Sequence, residues 1–263
     1  LNKQIQIKWK DLNLSAIIHF PACYLEGKNK RYPLIIICHG FIGSKVGVNR
    51  LFVKAAEELS KLDAIVLRFD YSGCGESEGN YGENHFDDLV SQTIQVIDFA
   101  LTIEEVDPNH LILIGHSLGG AVAMITAARD DRVKKLVLWS AVANPFKDIL
   151  SIVGVNKYEK LQGRMELDYL GYPLKKEFFL SMANHHPLKN VGNFTGDVLV
   201  VHGTEDEEIP VEYCFHYFYA LRSRPIGRCK KQVIMGANHT YSSIKGYREL
   251  MDTTLEWLIK ANQ

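Results

Sequence analysis

The pentapeptide Gly115-His116-Ser117-Leu118-Gly119 joins an apolar run, Leu111–Gly115, to a helical stretch rich in small residues, Ala121–Ala128. A serine on so sharp a strand-to-helix turn holds its hydroxyl clear of the backbone. Glycine on both sides removes side chains that would collide with neighbouring chain. The helix start behind the serine offers a positive dipole end where negative charge develops. This is an arrangement for nucleophilic attack on a carbonyl carbon. A Gly-rich turn also arises by chance, and a serine hydroxyl is a poor nucleophile at neutral pH without a base. The reading therefore depends on partners.

Ten histidines are available. His239, in Met235-Gly236-Ala237-Asn238-His239, follows the last apolar run and precedes the last helix, so it is the candidate base. His116 adjoins the serine but its side chain should point elsewhere, as a packing residue. His185-His186 has no third ligand at usable spacing, so a solvated pair is expected and no metal. The acid is sought in Val201-His202-Gly203-Thr204-Glu205-Asp206-Glu207-Glu208-Ile209-Pro210. Asp206 is preferred because it falls mid-turn, before Ile209-Pro210 starts the next helix. Glu205, Glu207 and Glu208 are expected to be solvated loop charges or helix N-terminal acids. His39-Gly40-Phe41 follows the apolar run Leu34–Cys38. Backbone N–H groups of Phe41 and Leu118 would form a two-donor oxyanion hole. No cofactor is needed for such chemistry.

The elements that must hold these residues are legible as a rhythm. Ile5–Trp9 alternates, and Leu14–Phe20 follows a polar break. Continuous apolar runs then alternate with helical patterns: Leu34–Cys38, Ala64–Phe69, Leu111–Gly115, Val133–Trp139, Val198–Val201 and Gln232–Met235. The helices fall near Leu51–Lys61, Phe86–Leu101, Ala121–Ala128 and Tyr247–Ala261. Such alternation predicts an α/β fold with a parallel sheet covered on both faces. One interval is too long. Nearly sixty residues separate Val133–Trp139 from Val198–Val201, against about seventeen to forty between the other parallel runs. The segment Asn144–Asn190 is therefore read as an inserted cap, with Met165–Tyr169, Leu170-Gly171 and Tyr172–Leu174 as a short hairpin.

Composition sets the outer bounds. The 263 residues suit one large domain or two small ones, and 46% hydrophobic with 23% charged residues exclude a disordered or coiled-coil chain. Lys+Arg 30 against Asp+Glu 31 gives a net charge of −1, with no basic excess to suggest a nucleic-acid or anionic-membrane partner. The apolar runs fall far short of the roughly 18 residues of a membrane span. No secretory signal is visible, although the chain begins at Leu1 and a removed leader stays open. Five widely spaced cysteines without a C-x-x-C pair suggest small buried hydrophobes and a cytoplasmic, reducing compartment.

At this point the chain resembles the α/β-hydrolases in their serine-hydrolase form. The resemblance covers nearly its whole length. It is carried by His39-Gly40-Phe41, Arg68-Phe69-Asp70-Tyr71-Ser72-Gly73-Cys74-Gly75-Glu76-Ser77, the Ser117 turn, His202-Gly203-x-x-Asp206-x-x-Ile209-Pro210 and Asn238-His239. Within that superfamily it looks most like the bacterial cinnamoyl (feruloyl) esterases, which begin the oxyanion loop with H-G-F and carry a hairpin-and-helix cap. Gly163-Arg164, the Leu170-Gly171 turn and Lys176-Glu177-Phe178-Phe179 resemble that cap. Cys74 replaces the histidine of the usual G-H-G-x-S, at a position that is not catalytic. The resemblance implies a sheet of about eight strands, one domain over 1–263 with its cap at 144–190, and the chain order Ser117, Asp206, His239 for nucleophile, acid and base.

It also implies a cofactor-free serine carboxylesterase acting through an acyl-enzyme on a small-molecule ester, a hydroxycinnamate or another small aryl or short-chain ester. A monoacylglycerol lipase, a thioesterase, a peptidase of this fold or an acyltransferase would share the acyl-enzyme step and stays open. The other class is a binding module that has lost catalysis, which the intact Ser117, Asp206 and His239 set argues against. In the cap, aromatic rings with polar tips suit a phenolic acyl group. Asp168, Tyr169 and Tyr172 are the substrate-binding candidates, with one tyrosine expected to face inward. A homodimer is left open.

Overall fold

The change from alternating to unbroken apolar sequence is reproduced as a change from antiparallel to parallel pairing. In the computed structural model, which describes residues 1–22, 24, 30–161 and 165–260, β1 (Asn2–Trp9) pairs antiparallel with β2 (Leu12–His19). There follow β3 (Tyr32–Cys38), α1 (Leu51–Leu59), β4 (Ile65–Phe69), α2 (Phe86–Ala100), β5 (Val106–His116), α3 (Leu118–Arg129) and β6 (Val133–Trp139). Next come α4 (Pro145–Val153), α5 (Val155–Glu159), β7 (Leu167–Tyr169), β8 (Tyr172–Leu174), α6 (Lys176–Met182) and α7 (Pro187–Asn190). The chain then re-enters the sheet through β9 (Asp197–Gly203), α8 (Glu212–Arg222), β10 (Cys229–Ile234) and α9 (Ile244–Lys260). The eight-stranded sheet has the order β1-β2-β4-β3-β5-β6-β9-β10. Every pair from β4 to β10 along that order is parallel, while β1 and β2 form the antiparallel edge.

Two apolar cores lie on opposite faces of the sheet. Along β3, Leu34, Ile36 and Cys38 enter the core beneath α2, α3 and α8, while Ile35 and Ile37 enter the core beneath α1 and α9. Period-2 alternation with both faces apolar is what makes the run look unbroken in sequence. The predicted fold class and strand number hold. β5 starts earlier than its apolar run, at Val106, because Tyr32 pairs with Val106 before a register shift, leaving Pro108, Asn109 and His110 exposed at the sheet end. α3 starts at Leu118 rather than Ala121, since the helix begins directly after Ser117.

Among its described residues the segment between β6 and β9 carries four short α-helices, a 3-10 turn at Val191–Asn193 and the two-stranded β7–β8 hairpin. Leu170 (φ 53°) and Gly171 (φ 84°) form its two-residue turn, both in the left-handed region such tight hairpins demand. Leu174, Phe178, Phe179 and Met182 are buried in the same core as α2 and α3. Lys175 pairs with Glu83 at 2.9 Å, and Phe86 N donates to Ser181 Oγ at 2.9 Å, so the segment is tied to the loop and helix after β4. Gly163-Arg164 lies outside the described residues. Cys38, Cys74 and Cys214 are buried and unpaired, Cys229 is half-buried, and Cys23 lies outside the described residues. Among the described residues no helix is long and apolar enough to cross a membrane.

The joint between α3 and β3 leaves no room for a side chain. A Cβ placed on Gly119 would stand 2.3 Å from the carbonyl oxygens of both Cys38 and His39. Neither partner is a flexible side chain. Gly119→Ala should therefore lower unfolding free energy in urea titrations by about 3 kcal/mol. Gly192→Ala, where nothing lies within 4 Å, should change it by no more than about 0.5 kcal/mol.

Candidate active site

Ser117 joins β5 to α3 with φ 56° and ψ −126°, a backbone conformation that a Cβ disfavours at about 1–3 kcal/mol. Surrounding bonds enforce it. Ser117 N donates to Trp139 O at 3.0 Å, and its carbonyl accepts from Gly120 N at 2.9 Å and Val142 N at 3.1 Å. The serine is buried at 4% exposure, yet it lines a cavity of about 910 Å³ together with His239. The loop after β3 lies against it, since a Cβ on Gly40 would come within 2.9 Å of Ser117 Cβ. Phe41 lines the same cavity, and Leu118 is the first residue of α3.

His239 sits in the loop between β10 and α9, and its Nδ1 lies 2.7 Å from Asp206 Oδ2. The same oxygen is 3.0 Å from His202 Nε2, while Asp206 Oδ1 accepts from Glu208 N at 3.0 Å and Ile209 N at 2.8 Å. Burial alone would raise the pKa of this carboxyl. The bonds from His202 and His239, the charge of His239 and the Ile209 N–H outweigh burial and hold it well below the usual carboxylate range. Asp206 is therefore an anion with filled acceptor sites, turned on the Nδ1 edge of His239. That edge carries the proton, and Nε2 is left as the basic nitrogen.

His116 does more than pack. Its Nε2 donates to the carbonyl of His239 at 2.8 Å, and the two rings stand 4.8 Å apart. Burial, then the His239 charge, push its pKa down to about 3, so it is a neutral donor that fixes the His239 loop. The expectation for Glu208 also changes. Its Oε2 is 3.6 Å from His239 Nε2, and Glu207 and Glu208 both line the cavity, whereas Glu205 does not.

A second polar cluster anchors the loop that carries Phe41. Asp70, at the end of β4 and fully buried, accepts from Lys45 N and Lys45 Nζ, each at 2.5 Å, and from Glu76 N at 2.9 Å. Arg68 Nη1 donates to the Lys45 carbonyl at 2.8 Å, and Arg68 Nε to His19 Nε2 at 2.9 Å. His39 Nε2 accepts from Tyr71 N at 3.0 Å and its Nδ1 donates to Gly40 O at 2.8 Å, which fixes its tautomer. Asp70 stands within the Arg68–Ser77 stretch that carries the resemblance, but neither it nor Lys45 is marked by sequence as one of a pair. A lysine that pairs in the interior carries no local signal that separates it from a solvated one.

In the hairpin, Tyr169 and Tyr172 both line the cavity. They are register partners, and directly opposed residues of an antiparallel pair share a face, so the expectation that only one faces inward is corrected. Asp168 is on the other face. It is exposed and accepts from Gly171 N at 2.9 Å, closing the turn rather than lining the cavity. Tyr158 packs on Phe146 and Phe179. His185 is also corrected from a solvated residue: it stacks on Phe86 at 4.5 Å and bonds Ser181 O at 2.7 Å, while His186 is exposed. No group of three or more His, Cys, Asp or Glu that could hold a metal occurs among the described residues.

Against known proteins, the model of the prolyl oligopeptidase family matches residues 56–263. An uncharacterized 31.7 kDa protein of the traX-finO intergenic region of Escherichia coli is 33% identical over 180 residues, covering 67% of this chain and 61% of that protein. The mitochondrial palmitoyl-protein thioesterase ABHD10 of Mus musculus is 28% identical over 208 residues, covering 76% and 66%. The chain thus spans less than two thirds of the length of these relatives. Among solved structures, Est1E from Butyrivibrio proteoclasticus with ferulic acid bound superposes with a TM-score of 0.83 at 25% identity, covering 98% of each chain.

The buried imidazoles give this frame a pH signature. Burial, followed by the Arg68 charge, lowers His19 to about 4, while His116 stands at about 3 and His39 is lowered by burial. Below the unfolded value of 6.5 the unfolded chain takes up protons that these rings refuse, so acidification favours unfolding. Asp206 has a depressed pKa, and its contribution is lost only at more acid pH than this window. Urea-unfolding free energy should stay level between pH 7 and 8 and fall between pH 6.5 and about 4, by up to about 1.4 kcal/mol per pH unit for each ring.

Proposed function

We propose that this chain, which belongs to the prolyl oligopeptidase family and has the α/β-hydrolase fold, is a serine carboxylesterase for esters of small aryl acids, hydroxycinnamates foremost. The observation that carries the reading is His239, bonded to the buried Asp206, set with the strained Ser117 in one cavity. Ser117 Oγ attacks the ester carbonyl as His239 Nε2 takes its proton, and the carbonyl electron pair moves onto oxygen. The N–H groups of Phe41 and Leu118 receive that oxyanion. Collapse breaks the bond to the alcohol, which leaves with the proton from Nε2. Water then gives a proton to Nε2 and attacks the acyl-enzyme, and a second collapse returns the proton to Ser117 and frees the acid. Asp206 holds the tautomer throughout. Lys45 and Asp70 hold the loop from which Phe41 donates.

Residues 144–190 act as the cap over this site. The cavity wall formed by Phe41, Tyr169 and Tyr172 supports an aromatic acyl group, with Phe41 and Tyr169 ring centroids 5.7 Å apart. The likeness to Est1E, with its bound ferulic acid, supports the same substrate class. A second reading, hydrolysis of long-chain acyl thioesters, is favoured by the similarity to palmitoyl-protein thioesterase ABHD10. An aliphatic chain would need a continuous apolar wall, at about 0.8 kcal/mol per buried methylene, and two tyrosines interrupt this one.

Ser117→Ala should fold normally and lose nearly all turnover, keeping a residual of about 10³–10⁴ over water. Asp206→Asn should lower kcat about 10⁴-fold with circular dichroism unchanged, while Glu205→Gln changes little. In a panel of methyl ferulate, methyl p-coumarate, C10 and longer esters, a palmitoyl thioester and a peptide anilide, the two hydroxycinnamates should show the highest kcat/KM. A preference for the thioester or the anilide would overturn the substrate class. Tyr169→Phe or Tyr172→Phe should penalise p-coumarate more than plain cinnamate.

A further inference from the structure

Among the described residues lining the cavity, Glu207 and Glu208 carry full charges and no lysine or arginine is present. Lys157, whose ammonium stands 5.3 Å from the Tyr169 ring centroid, is not a lining residue. Glu208 is set apart from a free loop charge by two features. Its peptide N–H donates to Asp206 Oδ1 at 3.0 Å, so its backbone is fixed by the same carboxylate that orients His239. Its Oε2 lies 3.6 Å from His239 Nε2, near enough to act on that nitrogen's surroundings yet too far for a hydrogen bond. Its side chain is 52% exposed and free to meet a ligand.

On the esterase reading, Nε2 must come within about 3 Å of the leaving oxygen to give it a proton. The leaving oxygen and the Glu208 carboxylate then lie within about 7 Å of each other, inside a Debye length at physiological salt. Asp206 lies behind the ring, on the far, Nδ1 side of His239. We infer that Glu208 selects the leaving alcohol by charge. Esters whose alcohol bears an ammonium group a few bonds from the scissile oxygen are favoured, neutral alcohols are accepted, and alcohols bearing a carboxylate, sulfonate or phosphate are rejected. The inference deepens the proposed function and rests on it.

The test uses the whole chain and three esters of one acyl group. Their alcohols are choline, its neutral isostere 3,3-dimethylbutanol, and isethionate. At low salt the choline ester should exceed the neutral ester in kcat/KM by about threefold to tenfold, with isethionate lower than neutral by a similar factor. Both ratios should shrink toward one in 0.5 M NaCl, at a Debye length of about 4 Å. Glu208→Gln should lower the choline-to-neutral ratio toward one, with Glu207 still present, and Glu208→Lys should lower it further. Each ratio is taken within one protein, so a change in folded fraction cancels. A ratio unaltered by Glu208→Gln, or insensitive to salt, overturns the inference while leaving the esterase reading in place. Absence of Ser117-dependent hydrolysis of the neutral ester overturns that reading and the inference together.

Discussion

The close approach of α3 to the end of β3 is the constraint on which the rest of the molecule depends. Gly119 lets the helix meet the carbonyls of Cys38 and His39 at a separation no side chain would allow. That approach brings the helix start, the Ser117 turn and the loop bearing Phe41 to one point. The positive φ of Ser117 follows from it, because a strand and a helix meeting so abruptly leave no relaxed conformation for the joining residue. The strain is small beside the burial of both cores, and the bonds to Trp139, Gly120 and Val142 leave it no route to relax. A position strained in this way and placed in a cavity is where function is to be sought.

Around that joint, two buried carboxylates organise the loops that return to it. Asp206 gathers the turn after β9 and the His239 loop, while Asp70 gathers Lys45 and the Glu76 turn onto the end of β4. Each is fully bonded, and that makes burial tolerable, since removing one partner of such a pair strands a charge at a cost of about 3–5 kcal/mol. The two clusters act on opposite sides of Ser117. One sets the tautomer of the proposed base, and the other sets the loop of Phe41, one of the two proposed oxyanion donors. His116 ties the Ser117 turn to the His239 backbone directly.

Much of this was legible because it is written in local pattern. The β3, β5 and β6 runs, the Gly115–Gly119 turn and the order of Ser117, Asp206 and His239 are short-range signals, and the structure places all three residues at the sheet's carboxyl end as that order implies. What was not legible depends on pairing at a distance. The Lys45–Asp70 pair spans two loops, and nothing within either segment marks those two residues as partners. The shared face of Tyr169 and Tyr172 depends on a register that the two-residue turn sets, so alternation within one strand could not decide it. Asp168 looked like a substrate contact because it sits among tyrosines, yet the turn claims its carboxylate. Glu208 looked like one of several solvated acids, and only the fold of Asp206 onto its peptide N–H brings it to His239.

The central claim is that this geometry makes Ser117 an activated nucleophile, and covalent trapping tests it most directly. The native chain is incubated with a fluorophosphonate, digested and mapped by mass spectrometry, alongside His239→Ala and Ser117→Ala proteins. The account predicts one phosphonylated residue, Ser117, with labelling much slowed in His239→Ala and absent in Ser117→Ala. An unlabelled native protein, or equal labelling in all three, would contradict it.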